Sequence, residues 1–375
     1  MAIRNLICFG EDWGGHPSTA QFLVQHLLET FRVIWINSIG WRPVRLDRAD
    51  LARAVNKLRA AARGVQRPHT NLVVYSPLVI PWYQNPLVRR FNTHLLYCAV
   101  RNLARRHSFT RYSLMTTYPG PEGVFLRIKD VRRIYYCADE YTSFPGLSSE
   151  LVRRLEKRLL GAVDVVVATS RELQHAKAAS HPHVVLLPHG VDAAHFGKAA
   201  DPSTPVPEDL AGLPRPIIGF CGLLADWVNL PLLRHIALAR PDWSIVLVGK
   251  ASADVEPLKG LANVHLLGQK SYSMLPGYYR GIDVALIPFV INDLTLRANP
   301  VKLREYLAAG LPVVSTPLPE ALQFGELVRI GESPDAFVSR IEECLQEDPS
   351  LPGRRMASVR QDTWASRAAQ LAAVL

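Results

Sequence analysis

The sequence lacks any apolar run approaching the roughly 18 residues that a membrane-spanning helix requires. It opens MAIRNLICFGEDWGG, with no basic region followed by a long apolar stretch, so no secretory signal is expected. Cysteine is sparse: Cys8, Cys98, Cys137, Cys221 and Cys344 are odd in number, scattered, and without a C-x-x-C pair. Such a set argues against a disulfide framework or a zinc site and suits a reducing cytoplasm. Acidic residues are scarce in one region. Between Arg42 and His107, thirteen Arg or Lys stand against two acids, Asp47 and Asp50, in a chain of net charge +10. The basic stretch from Arg42 to Arg106 reads as a solvated helix face, an anionic-membrane surface or a nucleic-acid contact. Aromatics occur there, as in Pro81-Trp82-Tyr83, but no nucleic-acid motif accompanies them, and nucleic acid is not an expected partner.

What is present suffices for two domains. The 375 residues exceed what one hydrophobic core usually serves, and 48% hydrophobic with 20% charged residues is a globular balance. Short runs rich in Val, Ile and Tyr at 5–9, 32–37, 71–76, 112–118, 132–138, 163–170 and 184–187 read as strands. Helical spacing lies between them, notably at 20–29, 88–106 and 148–160. Residues 197–216, GKAADPSTPVPEDLAGLPRP, hold five prolines and no apolar periodicity, and read as a linker. A second series follows, with strands expected at 216–221, 244–248, 263–267, 282–288 and 312–316. The alternation predicts two α/β domains, each a parallel sheet covered on both faces. A ligand is expected beyond the carboxyl ends of the strands, in a cleft between the two.

Four segments at such positions hold candidate residues. Gly10-Glu11-Asp12-Trp13-Gly14-Gly15-His16 follows the first strand; its glycines suit either a close backbone approach to an anion or a tight turn before a helix capped by Ser18 or Thr19. Asp139 and Glu140 follow the strand at 132–138, where a carboxylate serves as a general base or as a cap. His189-Gly190-Val191-Asp192 closes the first half and reads equally as a turn.

The segment from Asn299 to Thr316 is the most informative. Asn299 suits a helix N-cap, Pro300 the first helical position, and Gly310 the position after the helix end, with a buried strand following. Lys302 then lies in the first turn, which the helix dipole alone disfavours; a phosphate facing both the lysine and the free N–H groups would account for it. Glu305, three residues on, suits ribose hydroxyls, and the plain alternative is a Lys302–Glu305 surface pair.

These residues carry a resemblance. Ala168-Thr169-Ser170 with Glu172-Leu173, Pro188-His189-Gly190-Val191-Asp192 with Phe196, Gly219-Phe220-Cys221-Gly222, Val248-Gly249, Asp283 to Pro288 and Lys302 to Thr316 stand in an order that resembles GT-B-fold glycosyltransferases of the family 4, or group 1, type. The resemblance extends to exopolysaccharide and teichuronic-acid glycosyltransferases and to the branch that includes the xanthan glucuronosyltransferase. It implies two Rossmann-like domains. The acceptor domain is 1–196, the linker 197–215 and the nucleotide-sugar domain 216–352, and a helix in 353–375 crosses back to the first domain. It implies transfer from a nucleotide sugar, a UDP-sugar in preference, to a glycan or lipid-linked acceptor without a bound metal or cofactor. The enzyme would be cytoplasmic and peripheral at the inner membrane face through the basic stretch. Asp139 matches a base and Lys302 a phosphate ligand; Gly14, Gly15, His189, Gly222, Lys250, Arg297 and Glu305 complete the nucleotide-sugar set, and Glu11, His16 and Glu140 are further candidates on the acceptor side. Two departures stand out. Arg297 replaces the first glutamate of the family's E-x7-E motif, and Leu223-Leu224-Ala225-Asp226 lacks the usual basic pair, which leaves Lys302, with Arg297 or Lys250, to hold the diphosphate. A sugar-nucleotide epimerase or a non-catalytic binding subunit on the same fold remains an alternative.

Overall fold

The computed structural model describes residues 3–15, 18–39, 64–144 and 146–375, and position 59. His16 and most of the basic positions between 42 and 63 lie outside the described residues. The chain divides into two compact units, one comprising Met1–Pro188 with Arg367–Leu375 and the other His189–Ser366.

The first unit is built on eight strands, β1 (Arg4–Phe9), β2 (Phe31–Ile36), β3 (Gln66–His69), β4 (Leu72–Tyr75), β5 (Ser113–Thr116), β6 (Arg132–Cys137), β7 (Val165–Ala168) and β8 (Val184–Leu186). Their spatial order is β3-β4-β2-β1-β5-β6-β7-β8, and every neighbouring pair is parallel except β3 with β4. Leu6 to Phe9, Ile134 to Cys137 and Val165 to Ala168 are buried without alternation, as expected of strands with helices on both faces. The helices start where local chemistry allows. Ser18 caps Thr19–Leu27, Asn85 caps Pro86–Arg106 and Ser148 caps Ser149–Leu160 through their side-chain oxygens.

A charged cluster is buried in this unit. The Lys177 ammonium donates to Glu140 Oε2 at 3.1 Å and to Glu156 Oε2 at 2.9 Å, and the Tyr135 hydroxyl donates to Glu156 Oε1 at 2.9 Å. Burial works to lower the Lys177 pKa, but Cys137, Glu156 and Glu140 together hold it above its usual value. Burial likewise raises the Glu140 carboxyl, and Lys177 overrides this and holds it below its usual range.

The second unit is a six-stranded sheet of β9 (Ile217–Cys221), β10 (Ser244–Val248), β11 (Val264–Gly268), β12 (Val284–Ile287), β13 (Val313–Ser315) and β14 (Arg329–Ile330) in the order β11-β10-β9-β12-β13-β14, all parallel. Residues 197–215 differ from the linker expected. They belong to this unit and form the short helices Lys198–Ala200 and Glu208–Ala211. Leu210 is completely buried, and Asp209 accepts from the Tyr278 hydroxyl at 2.8 Å and from Lys270 at 2.6 Å. Buried Ala199 and Leu210, with Val206 and Leu213 packed beside them and Asp209 bonded from outside the segment, seat it without creating a periodicity. The C-terminal region also differs. Residues 353–366 stay with the second unit, and only Arg367–Leu375 joins the first, where Arg4, Ser113 and Arg132 donate to the carbonyls of Ala372, Leu375 and Val374.

Leu210→Ala is expected to lower stability in urea unfolding by about 2–5 kcal/mol, the cost of a core cavity, whereas a linker position would change it by less than about 0.5 kcal/mol. Lys177→Met is expected to cost about 3–5 kcal/mol in the same measurement, because it leaves two buried carboxylates without their cation.

Candidate functional site

In the second unit β9 has β10 on one side and β12 on the other, so the strand order reverses at β9 and the carboxyl ends of β9 and β12 flank the switch point of the sheet. The helix Val301–Ala308 comes between β12 and β13 and is fastened to the end of β9. Its Tyr306 hydroxyl accepts from the Cys221 backbone N–H at 2.8 Å and donates to the Cys221 carbonyl at 3.4 Å. The helix ends as its sequence predicts. Gly310 has φ +77°, its N–H donates to Leu307 O, and the N–H of Leu311 donates to Tyr306 O, both at 3.0 Å.

Its start differs from expectation. Pro300, not Asn299, is the N-cap, and no side chain caps the helix. The Asn299 side chain instead accepts from the buried Arg304 guanidinium, which also reaches Asp362 at 3.3 Å. The oxygen that the sequence suggests as a cap is needed to satisfy a buried cation; among the described residues no side chain accepts from the first-turn N–H groups, of which that of Leu303 donates to Pro300 O at 3.1 Å.

Lys302 and Glu305 do pair, Nζ to Oε2 at 2.8 Å, but not as a surface pair: Glu305 is 6% exposed. The same carboxylate oxygen accepts from the buried Tyr279 hydroxyl at 2.7 Å. Among the described residues Oε1 accepts no hydrogen bond. Both charges act on the neighbouring Cys221 thiol, whose pKa burial pushes up to about 12 while Lys302 works against the shift. Tyr279 stacks on Phe196 at 5.2 Å and meets Tyr306 edge-on at 5.2 Å, which fixes the hydroxyl that holds Glu305. Sequence reasoning does not find Tyr279, because its bond to Glu305 spans 26 residues.

The other candidates of this unit are dispersed around the same strand ends. Gly222 follows β9 and donates its N–H to Val248 O at 2.8 Å. Gly249 follows β10 with φ +152°, and a Cβ there would lie 1.8 Å from the Gly222 carbonyl oxygen, so only glycine permits these two turns to touch. Lys250 is exposed and adjacent, its carbonyl accepting from Leu224 N–H. Arg297 ends the helix Asp293–Arg297 and lies 3.9 Å from Asp293. His189 is buried, with its ring 6.4 Å from that of Trp364.

In the first unit the order reverses at β1, which lies between β2 and β5. The loop after β1 is held mainly from β2, the residues after it and the following helix: Trp35 donates to Glu11 O, Ser38 N–H to Asp12 Oδ1, and Trp13 N–H to Asn37 Oδ1. Gly14 N–H donates to Gln21 Oε1 at 3.2 Å, Gly15 N–H donates to Asp12 O at 3.2 Å, and Glu11 accepts from the Ser18 hydroxyl at 3.0 Å. The two glycine N–H groups expected to meet an anion are therefore engaged in the turn. The adjacent acids after β6 have different surroundings. Glu140 is bound into the Lys177 cluster and accepts from the Thr142 hydroxyl at 2.6 Å. Asp139 is half-buried, and among the described residues its carboxylate has no hydrogen-bond or ionic partner. Burial pushes its pKa up to about 6, and the nearby Glu11 charge adds to the shift. A carboxylate so placed is suited to take a proton near neutral pH.

Residues 215–347 match the family described as Glycosyl transferases group 1. A curated relative from Bacillus subtilis (strain 168), whose name places it as a teichuronic acid biosynthesis glycosyltransferase, TuaH, is 26% identical over 254 residues. That alignment covers 62% of this chain and 63% of the relative, so the chain spans less than two thirds of that protein's length. Sucrose-phosphate synthase from Thermosynechococcus elongatus has a similar structure, with a TM-score of 0.72 at 17% identity, covering 99% of this chain and 98% of that one. HepE from Anabaena, determined in complex with UDP and glucose, matches with a TM-score of 0.66 at 14% identity, covering 99% and 98%. The two parallel-sheet units have the GT-B fold of these structures, and residues 215–347, within the second unit, match the group 1 glycosyl transferase model.

Proposed function

We propose that the protein is a cytoplasmic glycosyltransferase. It moves a sugar from a nucleotide-sugar donor, a UDP-sugar in preference, to a glycan or lipid-linked acceptor in cell-surface or exopolysaccharide synthesis. The observation that carries this reading is the chain Lys302–Glu305–Tyr279 at the uncapped start of a helix fastened to the end of β9. A diphosphate placed there meets first-turn N–H groups and an ammonium together. Glu305 Oε1 serves the ribose hydroxyls, while Oε2 keeps its two present donors. The name of the Bacillus subtilis relative and the UDP and glucose of the HepE structure support a sugar nucleotide as donor and a surface polysaccharide as product.

The chemistry follows from the charges. Asp139 takes the proton of the acceptor hydroxyl, and the acceptor oxygen bonds to the anomeric carbon. The bond from that carbon to the phosphate oxygen breaks, and the nucleoside diphosphate leaves with the electron pair. Lys302 stabilises the negative charge that builds on it, a role that requires no change in the protein's own bonding.

Lys302→Ala is expected to lower donor turnover about a hundredfold in an assay of nucleoside diphosphate release; full activity would overturn the reading. Donor alone separates transfer from epimerisation, since an epimerase returns an isomerised donor, and tight binding without turnover on any acceptor would instead mark a binding subunit. Asp139→Asn is expected to abolish transfer and yet raise stability at pH 7–8. The folded pKa of about 6 lies above the unfolded value of about 3.9, so the charged carboxylate costs the native state stability above pH 6 and nothing below about pH 4. Melting curves at pH 4 and pH 8 check the stability, and the wild-type rate should fall as pH drops through about 6.

A further inference from the structure

The helix Pro86–Arg106 shows solvent a face that a helix of a globular unit does not usually expose. Leu87 is 77% exposed, Phe91 50% and Leu95 38%, and the three lie four residues apart on one stripe. Trp82, 66% exposed, and Leu78, 59%, precede the helix on its connecting loop. This exposure is built into the fold. Asn92 on the buried side of the helix bonds both the N–H and the carbonyl of Ile80 at 3.0 and 2.9 Å, and Arg89 donates to the carbonyls of Tyr83 and Gln84 at 2.9 and 2.7 Å. The loop that presents Trp82 is thus held from beneath by two buried polar side chains.

The exposed charge that the helix itself carries has one sign. Arg90, Arg101, Arg105 and Arg106 are exposed on the same helix, and residues 51–121 contain no Asp or Glu at all. A second copy of this face would meet it cation against cation, which disfavours self-association here. Nucleic acid would use the arginines and the two aromatic rings, but three exposed leucines offer nothing to a base or a phosphate. Aliphatic and aromatic side chains ringed by arginine fit one surface in all their parts, the boundary between anionic headgroups and acyl chains.

We propose that the Trp82 loop and the outer face of Pro86–Arg106 dock this protein on an anionic lipid surface, with Leu78, Trp82, Leu87, Phe91 and Leu95 entering the acyl boundary and the arginines contacting headgroup phosphates. The proposal gives the basic stretch its apolar counterpart and stands independently of the transfer reading, because its test uses no sugar.

The test is flotation of the full chain with phosphatidylcholine vesicles with and without phosphatidylglycerol. Binding is expected only with the anionic lipid, weakening as salt rises. It should fall at least about tenfold both in the double variant Leu87→Ser/Phe91→Ser and in Arg90→Glu/Arg105→Glu. All four positions are exposed, and an unchanged melting temperature verifies that the variants fold. Tryptophan emission should shift to the blue on anionic vesicles, and Trp82→Tyr should remove that shift. Any of four results overturns the proposal: no flotation, equal flotation with neutral lipid, a concentration-dependent dimer that the same variants abolish, or binding to nucleic acid without binding to vesicles.

Discussion

The second unit depends on one hydroxyl. Tyr306 bonds the backbone of Cys221 from a helix 85 residues away in sequence, and this fixes where the helix begins relative to the end of β9. The rest of the site follows from that placement. Lys302 and Glu305 lie in the first and second turns, Tyr279 reaches the buried carboxylate, and Phe196 closes the aromatic stack from the last residue that the sequence assigns to the first domain. A tyrosine can serve this purpose because its ring belongs to the core while its hydroxyl satisfies a backbone group that the sheet leaves unpaired. Phenylalanine would keep the packing and lose the register.

The first unit makes a comparable distinction between two acids that are neighbours in sequence. Glu140 turns inward to a buried lysine and is held charged, whereas Asp139 keeps an open edge and is pushed toward the neutral form. Their chemistry is the same and only the surroundings differ. Burial and the Glu11 charge raise Asp139, while the Lys177 ammonium holds Glu140 down.

Much of this was legible in the sequence for an identifiable reason. Most of the strands are continuous apolar runs buried on both faces; β8 and β11 are only half-buried but keep apolar residues, so every strand from β1 to β13 is legible except β3, whose Gln66–His69 is exposed throughout. β14 is only two residues long and left no pattern. Lys302 and Glu305 could be singled out because helix start, helix end and strand follow each other within a few residues. Tyr279, Lys177 and the Tyr306 tie could not, since each acts across a distance that local spacing does not encode. Asn299 reads as a cap in the sequence, but the buried Arg304 guanidinium takes its oxygen. On the helix Pro86–Arg106 the basic residues were legible, but an apolar stripe at helical spacing ordinarily means core, and only the structure reveals that this one faces outward.

The bonds from Arg4, Ser113 and Arg132 to the carbonyls of Ala372, Leu375 and Val374 carry a consequence for biogenesis. The first unit has its sheet ready as soon as Pro188 has left the ribosome, but three of its side chains await a partner that is synthesised only after the whole second unit. Until residues 367–375 emerge, the nascent first unit lacks the three acceptors that meet the amino ends of β1, β5 and β6.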